Sequence, residues 1–495
     1  MKSIIAKALA GIAVLSLAAC AVQPETHADL PKTVQTVAPD AWSVDAPHAS
    51  VDADAWWNDF GDPGMHELVT SVLEGNLDVQ AAAERVKQAQ SIATQRHADL
   101  LPELDAVARA ADTRQNTPPP LGYVRQAGVG LAASWAPDVF GGEHLALLAA
   151  QAQVSGRKEA LNAVRLALAA NAAAAYIDLR WAQSQMQIVK DNEQIRSRAL
   201  RLTQERLHYG LSTQLDVARA QNQLSDLQAQ IPRVQSTIQH QLSLIAVYSG
   251  RTPESVDALL LEIAQAIPVP SQSVPQTLPS EALLRRPDVR TAYAGVEQRA
   301  AEVGVSKAQR YPQFRLTLSD GLLAASYLGL PTLTDNLFSA ALSATSPIFN
   351  AGRIDAGIDE SESRMRESQL GLRQTMLEAL KEIEDTRSDL VSTSEQAQRL
   401  SGALDASSQA LRLSSELYKG GASSFLDVLA AQEAYLRDSE SLNQAKREHA
   451  LAAVALYRSL GGGWDTRRVP ASGDTLLYFP YARSDRRIGA QAPHD

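Results

Sequence analysis

Residues 417–428 read Leu417-Tyr418-Lys419-Gly420-Gly421-Ala422-Ser423-Ser424-Phe425-Leu426-Asp427-Val428. A near-copy lies upstream and reads Arg206-Leu207-His208-Tyr209-Gly210-Leu211-Ser212-Thr213-Gln214-Leu215-Asp216-Val217. In both copies a glycine stands six residues before an aspartate, and the aspartate opens the pattern Asp-Val-x-x-Ala-Gln. An internal motif that occurs twice indicates a duplicated architecture.

Each copy predicts a tight turn between two antiparallel helices. The glycine can adopt the left-handed conformation that ends a helix, and the Thr or Ser three residues before the aspartate predicts a capping box for the next helix. The residues concerned in the two copies are Gly210 and Gly421, Thr213 and Ser424, and Asp216 and Asp427. On this basis alone, the two aspartates need do no more than cap their helices.

Composition favours long, closely packed helices. The chain has 495 residues, with 45% apolar and only 5% aromatic residues, so small side chains supply much of the apolar total. Small side chains allow helices to approach closely. The formal net charge is −10, and there is no basic run of the kind that binds nucleic acid. A nucleic-acid partner is therefore not expected.

The N-terminus resembles a bacterial lipoprotein signal. Residues 1–19 combine a lysine-containing start with an apolar stretch too short for a comfortable membrane span, and they end in Leu-Ala-Ala before Cys20. We predict cleavage of this signal peptide and lipid attachment at Cys20. An ordinary secretory signal with an incidental cysteine is the alternative. Ala21 after the cysteine, in place of aspartate, favours sorting to the outer membrane.

Four segments show the two-residue period of strands with one apolar face. The alternating apolar residues begin at about Leu104 and at Val129 in the first half, and at Phe314 and Phe338 in the second half. Each segment has about the ten residues that a tilted membrane strand needs. Two hairpins of a soluble sheet are the alternative, but the lipoprotein signal favours membrane strands.

Long helices follow each pair of strands. Neither Gly nor Pro occurs between Gly156 and Gly210, which allows a helix of more than about 50 residues, or roughly 80 Å. A first helix is predicted over about residues 65–100. Pro232 falls inside the return helix, where we predict a kink rather than a break.

The two halves of the chain repeat the same order of elements. Two pairs of prolines are each 210 residues apart, Pro102 with Pro312 and Pro137 with Pro347. The predicted organisation is a lipid-anchored irregular segment, a first repeat, a Pro-rich connector, a second repeat and an irregular tail, over residues 20–63, 64–250, 251–287, 288–464 and 465–495. Strands are predicted over about 103–136 and 313–346, and helical hairpins over about 143–249 and 352–460.

Four strands cannot close a barrel within one chain. A lipid-facing sheet must leave no backbone group unpaired, and known bacterial barrels have at least eight strands. The chain must therefore pool its strands with other copies, two copies giving eight strands and three giving twelve. The sequence thus predicts an α+β membrane protein in which a barrel joins long helices to form a duct across the periplasm.

Three further motifs make the chain similar to a known family. They are Trp56-Trp57-Asn58-Asp59-Phe60-Gly61-Asp62-Pro63, Leu284-Arg285-Arg286-Pro287-Asp288-Val289 and Gly461-Gly462-Gly463-Trp464. With the proline markers and both Gly-to-Asp turns, they resemble the TolC-like outer-membrane factors, in particular the lipid-anchored, NodT-like branch of RND-type multidrug efflux systems. The resemblance implies a homotrimer with a twelve-stranded transmembrane barrel, a continuous α-helical barrel and a mixed equatorial domain.

The resemblance also implies a function and partners. The trimer would be the exit duct for drugs or other small toxic compounds, docked to a periplasmic adaptor and to a proton-driven inner-membrane pump. It implies that Asp427 belongs to an acidic ring at the closed periplasmic tip, and that Tyr418 and Asp216 tie neighbouring helices together there. Three Asp427 carboxylates around one axis would repel one another and favour opening unless cations or polar partners compensate. Ala430 and Ser423 stand where the family has a further acidic and a basic residue, so fewer charged contacts are expected at this tip.

The sequence contains none of the motifs that mark common enzyme sites. It has no His-Glu-x-x-His pair, no Gly-rich phosphate loop and no Gly-x-Ser-x-Gly elbow, so no catalytic residue, cofactor or metal ligand is predicted. Two other classes remain as alternatives: a periplasmic adaptor lipoprotein, which would have one hairpin and soluble β domains, and a surface-anchored enzyme. Within the channel class, the duct of a type I protein-secretion system is a further alternative.

Overall fold

The structure is a computed structural model that describes residues 22, 29–43, 48–49, 53–115, 122–255, 266–269, 274–275, 277–327 and 333–462. Four features predicted from the sequence lie outside the described residues: the signal peptide at 1–19, the lipid attachment site Cys20, the closing pair Gly463-Trp464 and the tail at 465–495.

The described elements follow the same order in both halves: a helix, two long strands, a very long helix and a helical return. The helices are α1 (Leu30–Val37), α2 (Pro63–Gly75), α3 (Leu77–Ala98), α4 (Gly142–His208), α5 (Gln214–Gln228), α6 (Ile231–Tyr248), α7 (Pro279–Arg285), α8 (Pro287–Ala308), α9 (Arg353–Lys419) and α10 (Phe425–Ser459). The strands are β1 (His48–Ala49), β2 (Glu103–Gln115), β3 (Gly122–Trp135), β4 (Val274–Pro275), β5 (Gln313–Tyr327) and β6 (Leu333–Thr345). Short 3₁₀ segments span Ala53–Phe60 and Pro253–Ser255.

The two long helices have the same length. Helices α4 and α9 each contain 67 residues, which corresponds to about 100 Å at the rise of an α-helix. Both begin after a glycine with a left-handed backbone, Gly141 at φ +83° and Gly352 at φ +81°. The prediction of helices longer than the width of an ordinary domain is therefore confirmed, and Gly156 is accommodated inside α4.

The offset between the two halves changes within the strand hairpins. Glu103 pairs with Ser134 in the first hairpin, and Gln313 pairs with Thr345 in the second. The first members of these pairs are 210 residues apart (313 minus 103), and the second members are 211 apart (345 minus 134). One extra residue therefore enters the second hairpin, so β3 and β6 are related by 211 residues and not by the 210 that separates the proline markers.

Strands β2, β3, β5 and β6 form one antiparallel sheet in that order. The register places the predicted apolar residues of all four strands on one face; for example, Ala133 lies opposite both Leu104 and Leu318. This face is exposed in the protomer, as a lipid-facing surface would be, and Asp320 is a charged exception on it. Within the described residues, β2 and β6 are edges that pair on one side only.

Two predicted helices are divided. The helix predicted over residues 65–100 consists of α2 and α3, because the side chain of Asn76 accepts hydrogen bonds from backbone amides in the first turn of α3. The kink predicted at Pro232 is a separation of α5 from α6 at Ala229 and Gln230, both of which keep right-handed helical dihedrals. Proline has no N–H for the carbonyl four residues earlier, so the hydrogen-bond ladder is interrupted there.

Residues 20–63, which were predicted to be irregular, contain regular elements. Helix α1 and the 3₁₀ segment Ala53–Phe60 both form in this range. Val34 of α1 is fully buried in a cluster with residues of α7, α8 and α9. Tertiary packing therefore stabilises a short helix in a stretch whose prolines indicated none.

The largest core lies about midway along the long helices, where the aromatic N-terminal motif packs between α4 and α10. Trp56 is fully buried and stacks on Tyr457 at 5.3 Å between ring centroids. The hydroxyl of Tyr457 donates to Asp59, and the hydroxyl of Tyr176 donates to Asp62 at 2.8 Å. This core therefore joins the N-terminal segment to both halves of the repeat.

Candidate functional site

The first helix turn has the geometry that the sequence predicts. Gly210 is left-handed at φ +69°. The Asp216 amide donates to Thr213 Oγ1 at 3.2 Å, and the Thr213 amide donates to Asp216 Oδ2 at 3.3 Å. The hydroxyls of Thr213 and Ser212 also donate to this carboxylate, at 2.7 and 3.2 Å. Burial disfavours ionisation, but these hydrogen bonds and the nearby Arg219 outweigh it and lower the pKa of Asp216.

The second turn repeats this arrangement. Gly421 is left-handed at φ +80°. The Asp427 amide donates to Ser424 Oγ at 3.4 Å, and the Ser424 amide donates to Asp427 Oδ2 at 3.0 Å. Phe425 and Val428 of the same helix turn are buried, whereas Asp427 is exposed in the protomer. The predicted capping box is present, and the carboxylate lies outside the apolar cluster of its own protomer.

Tyr418 connects the two turns within one chain. Its side chain comes from the last turn of α9, is only 4% exposed and packs on Phe425 at 5.7 Å between ring centroids. Its hydroxyl lies 3.4 Å from Ser212 Oγ and 3.5 Å from Thr203 Oγ1. Ser212 in turn donates to Asp216. Tyr418 and Asp216 are therefore linked through a serine hydroxyl.

Arg206 of α4 also contacts both turns, although no motif in the sequence indicated a role for it. Its guanidinium carbon lies 4.7 Å from the centroid of the Tyr418 ring. Its Nη1 donates to the carbonyl oxygens of Tyr418 and Lys419, at 2.9 and 3.3 Å. These carbonyls lie at the C-terminal end of α9, where the helix dipole favours a cation. We call this set of contacts, between Arg206 and residues Tyr418 and Lys419, the tip contact.

The tip contact occurs once per chain because the two copies of the motif differ. With the offset of 211 residues that relates Gly210 to Gly421, Leu417 is the counterpart of Arg206, and Leu207 is the counterpart of Tyr418. The duplicated equivalent of the contact would join Leu417 to Leu207, so it has neither the cation nor the aromatic ring. A comparison of the two copies could have singled out Arg206 from the sequence.

At Ala430 and Ser423, where the resemblance implies an acidic and a basic residue, the tip has no charged side chain. Ala430 is exposed on α10 and has no polar side chain. Ser423 donates weakly to the carbonyl of Ser414 in α9, at 3.5 Å. Throughout the part of the chain that the structure describes, no group of three or more His, Cys, Asp or Glu side chains is placed to hold a metal ion.

Comparison with known proteins identifies the family. The signature described as "Outer membrane efflux protein" matches residues 68–251 and 278–462, which are the two halves of the repeat. The chain belongs to the outer membrane efflux protein family. It is an outer-membrane channel whose helical hairpins lie in the periplasm, and it serves as the exit duct of an efflux system. Proteins of this family are transport ducts that work with an adaptor and an inner-membrane transporter.

Individual relatives cover nearly the whole chain. The pyoverdine export outer membrane protein OpmQ of Pseudomonas aeruginosa is 30% identical over 472 residues, covering 92% of this chain and 96% of OpmQ. The solvent efflux pump outer membrane protein SrpC of Pseudomonas putida is 27% identical over 82% of this chain and 86% of its own length. Among solved structures, the outer-membrane channel OprN has a TM-score of 0.77 at 27% identity, covering 87% of this chain and 99% of OprN.

These findings confirm the predicted fold class and argue against two alternatives. Two helical hairpins and a four-stranded sheet with one apolar face exclude the adaptor, for which one hairpin and soluble β domains were expected. The family is one of transport ducts and not of enzymes. The gating roles predicted for Asp427, Tyr418 and Asp216 stay predictions.

Proposed function

We propose that three copies of this chain form a duct that is closed at its periplasmic helix tips and opens when it docks with an adaptor and an RND-type pump. The tip contact carries this proposal. It joins the ends of α4 and α9, about 100 Å from the sheet along helices of 67 residues. Contacts at that distance from the membrane add little to barrel stability and are suited to control access to the duct.

Closure of the barrel supports the homotrimer. Each chain contributes four strands and leaves two edges, β2 and β6, unpaired within its described residues. In lipid an open edge leaves backbone donors and acceptors without partners, at a cost of several kcal/mol for each group. Three copies supply twelve strands, and pairing β6 of one copy with β2 of the next removes every edge.

The position of Val22 supports lipid attachment at Cys20. The Val22 amide donates to the carbonyl of Phe140 at 3.1 Å. Phe140 lies between β3 and α4 and stacks on Tyr311, which precedes β5, at 4.8 Å between ring centroids. This is the periplasmic end of the sheet, where a lipid on a cysteine two residues before Val22 would reach the inner leaflet of the outer membrane.

The tip contact and Asp427 act in opposite directions on the gate. The tip contact holds the end of α9 against the end of α4, which favours the closed state. Three Asp427 carboxylates, one from each protomer, repel one another across the axis and favour opening. Because the second copy lacks an equivalent of Arg206, the six helix tips of a trimer are held as three pairs, and opening separates the two helix ends within each pair.

We expect Arg206→Leu, which installs the residue found in the second copy, to open the channel. A hydrogen bond with a charged partner contributes about 1.5–3 kcal/mol. At about 2 kcal/mol per protomer, three lost contacts amount to about 6 kcal/mol, a shift of roughly 10⁴-fold in the closed-to-open ratio. The measurements are single-channel conductance in lipid bilayers and sensitivity of cells to antibiotics too large for porins.

The control for this variant is Arg201→Leu. Arg201 lies on the same helix, is exposed and contacts only Ser197 of its own helix among the hydrogen bonds of the structure. It should leave conductance at the wild-type level. Wild-type conductance for a correctly folded Arg206→Leu trimer would contradict the proposed role of the tip contact.

We expect Asp427→Ala, alone or with Tyr418→Phe, to change bilayer conductance and permeability to large antibiotics. The alanine variant removes both the charge and the acceptor of the hydrogen bond from the Ser424 amide, which is one half of the capping box. Asp427→Asn is the matched control, because the amide oxygen of asparagine can accept the same hydrogen bond from the Ser424 amide but carries no charge. A change with both variants assigns the effect to the charge. Unchanged conductance with both, in folded trimers, would leave Asp427 with capping alone.

The export of small molecules is favoured over protein secretion by the relatives, whose names refer to pyoverdine and to solvents. Nothing in the structure favours a type I secretion duct. Because the inner-membrane pump selects the cargo, deletion of the gene followed by sensitivity profiling with dyes, antibiotics, metals and aromatic acids would define the compounds that are exported.

A further inference from the structure

The internal repeat determines which residues face each other where β6 of one protomer meets β2 of the next. We call this junction the seam. We propose that β6 of one protomer pairs antiparallel with β2 of the next protomer in one register, with Leu342 opposite Ala110 and Ser343 opposite Arg109. This inference rests on the proposed trimer and adds the register, which the fold of one chain leaves open.

The pairing of β3 with β5 is the template for this seam. Within one chain, that pairing joins the last strand of the first repeat to the first strand of the second repeat. The seam between protomers joins the last strand of the second repeat, β6, to the first strand of the next first repeat, β2. The two junctions are therefore equivalent by the duplication, and the first is visible in the structure.

The two repeats are offset by 210 residues between β2 and β5 and by 211 residues between β3 and β6. These offsets convert the register of the β3–β5 pair into the register of the β6–β2 seam. Leu131 of β3 lies opposite Asp320 of β5. Adding 211 to 131 gives Leu342 of β6, and subtracting 210 from 320 gives Ala110 of β2. By the same rule, Ala132 opposite Ser319 becomes Ser343 opposite Arg109.

The inferred register keeps the two faces of the barrel continuous. Leu342 lies on the apolar face of its own sheet, opposite Leu316, and Ala110 shares that face with Leu104. An offset of 210 for both strands would place Leu342 beside the polar face of β2, because a shift of one residue reverses every side chain. The extra residue in the second hairpin is thus what allows an unbroken lipid-facing surface across the seam.

The two edge strands, β2 and β6, carry exposed apolar side chains at their periplasmic ends. This pairing brings those side chains together. Ile348 and Phe349, just after β6, are 98% and 88% exposed in the protomer. Leu101 and Leu104, just before and within β2, are 50% and 68% exposed. At the equivalent junction within the chain, Phe140 packs on the residues that lead into β5 and is buried. The neighbouring protomer is the partner that covers Ile348, Phe349 and Leu101, while Leu104 stays on the lipid-facing surface.

Engineered disulfides test the register in the full-length, membrane-inserted protein. The variants are Leu342→Cys with Ala110→Cys, and Ser343→Cys with Arg109→Cys. Because adjacent antiparallel pairs alternate between wide and narrow spacing, one of the two places its Cβ atoms within disulfide range. Oxidation should convert most of the protein to covalent dimers and trimers on a denaturing gel for at least one variant, and reduction should reverse this.

The control is Leu342→Cys with Ala106→Cys, which is displaced by four residues, or about 13 Å along the strand, and should not cross-link. Lysine-reactive cross-linking of the same samples reports trimer formation independently. A trimer that lacks both disulfides, or that forms the control disulfide instead, overturns the register while leaving the trimer intact. Absence of any trimer overturns both proposals.

Discussion

Gly321→Val is expected to prevent assembly of the barrel, because β3 and β5 approach too closely at this residue to admit a side chain. A Cβ atom on Gly321 would lie 2.5 Å from the carbonyl oxygen of Val129 and 2.7 Å from the Cα of Gly130. All of these neighbouring atoms belong to the backbone, so no change of rotamer relieves the overlap. Gly130 and Gly321 pair directly across the two strands, as glycines do where a sheet bends sharply toward a barrel interior.

The expected result is loss of the trimer from the outer membrane. Overpacking costs about 1–3 kcal/mol per site, and the trimer contains three sites, so we expect trimer to fall below about a tenth of wild type. Semi-native gels of membrane fractions measure this directly. Ser319→Val is the control, because Ser319 is exposed on the same face of the same strand. Wild-type trimer levels for Gly321→Val would show that the strands separate here without cost.

Arg286→Ala is expected to destabilise the protomer by about 1.5–3 kcal/mol, the range for hydrogen bonds with a charged group, because the guanidinium is buried but its carboxylate partners are partly exposed. Arg286 is 8% exposed, and its guanidinium lies 2.7 Å from both Asp288 Oδ2 and Glu382 Oε2. It also donates to the carbonyl of Ser459, at the end of α10, at 2.7 Å. Burial disfavours the charged form, but the two carboxylates outweigh it and raise the pKa of Arg286.

This arginine joins three parts of the chain that are distant in sequence. It connects the start of α8 to the middle of α9 and to the C-terminal end of α10. Among the described residues, its removal leaves the carboxylate of Glu382 with the more exposed Arg458 as its ion-pair partner. The hydrogen bonds that hold the three helices together at Arg286 are lost with it.

Thermal unfolding of the detergent-solubilised trimer measures the effect. Arg285→Ala is the matched control, since Arg285 is the preceding residue, is only half-buried and takes part in none of these bonds. Arg286→Lys should be intermediate, because an ammonium keeps the charge but cannot make the bidentate contact with Asp288. A melting temperature within about 2 °C of wild type for Arg286→Ala would rule out this buried network as a major source of stability.

The local elements of this fold were predictable because each depends on residues close in sequence. The strand period of two, seen in Leu316 and Leu318, and the absence of Pro and Gly from long stretches are local signals. So are the two capping boxes, in which Thr213 and Asp216, or Ser424 and Asp427, lie three residues apart. The structure differs from the prediction at a few places, such as Asn76, where α2 ends and α3 begins. At these places the local sequence allows more than one conformation, and tertiary packing selects between them.

The tip contact could not be predicted in the same way. Arg206 and Tyr418 are separated by 212 residues, and nothing near either one indicates that they meet. Only the parallel, side-by-side packing of the two helical hairpins, whose long helices both contain 67 residues, brings the two C-terminal helix ends together. The same holds for Arg286 and Ser459, which are 173 residues apart.

The sequence by itself determined the duplicated order of elements, the apolar face of four strands, the capped turns and the need for more than one chain. These properties follow from periodicity, from backbone preferences and from the requirement that every backbone group in lipid be paired. Only the tertiary structure decided the contact partners: Arg206 with Tyr418, and the strand register that places the extra residue within the second hairpin. The physical reason is that partner choice depends on how whole helices and strands pack, and a shift of one residue changes every contact beyond it.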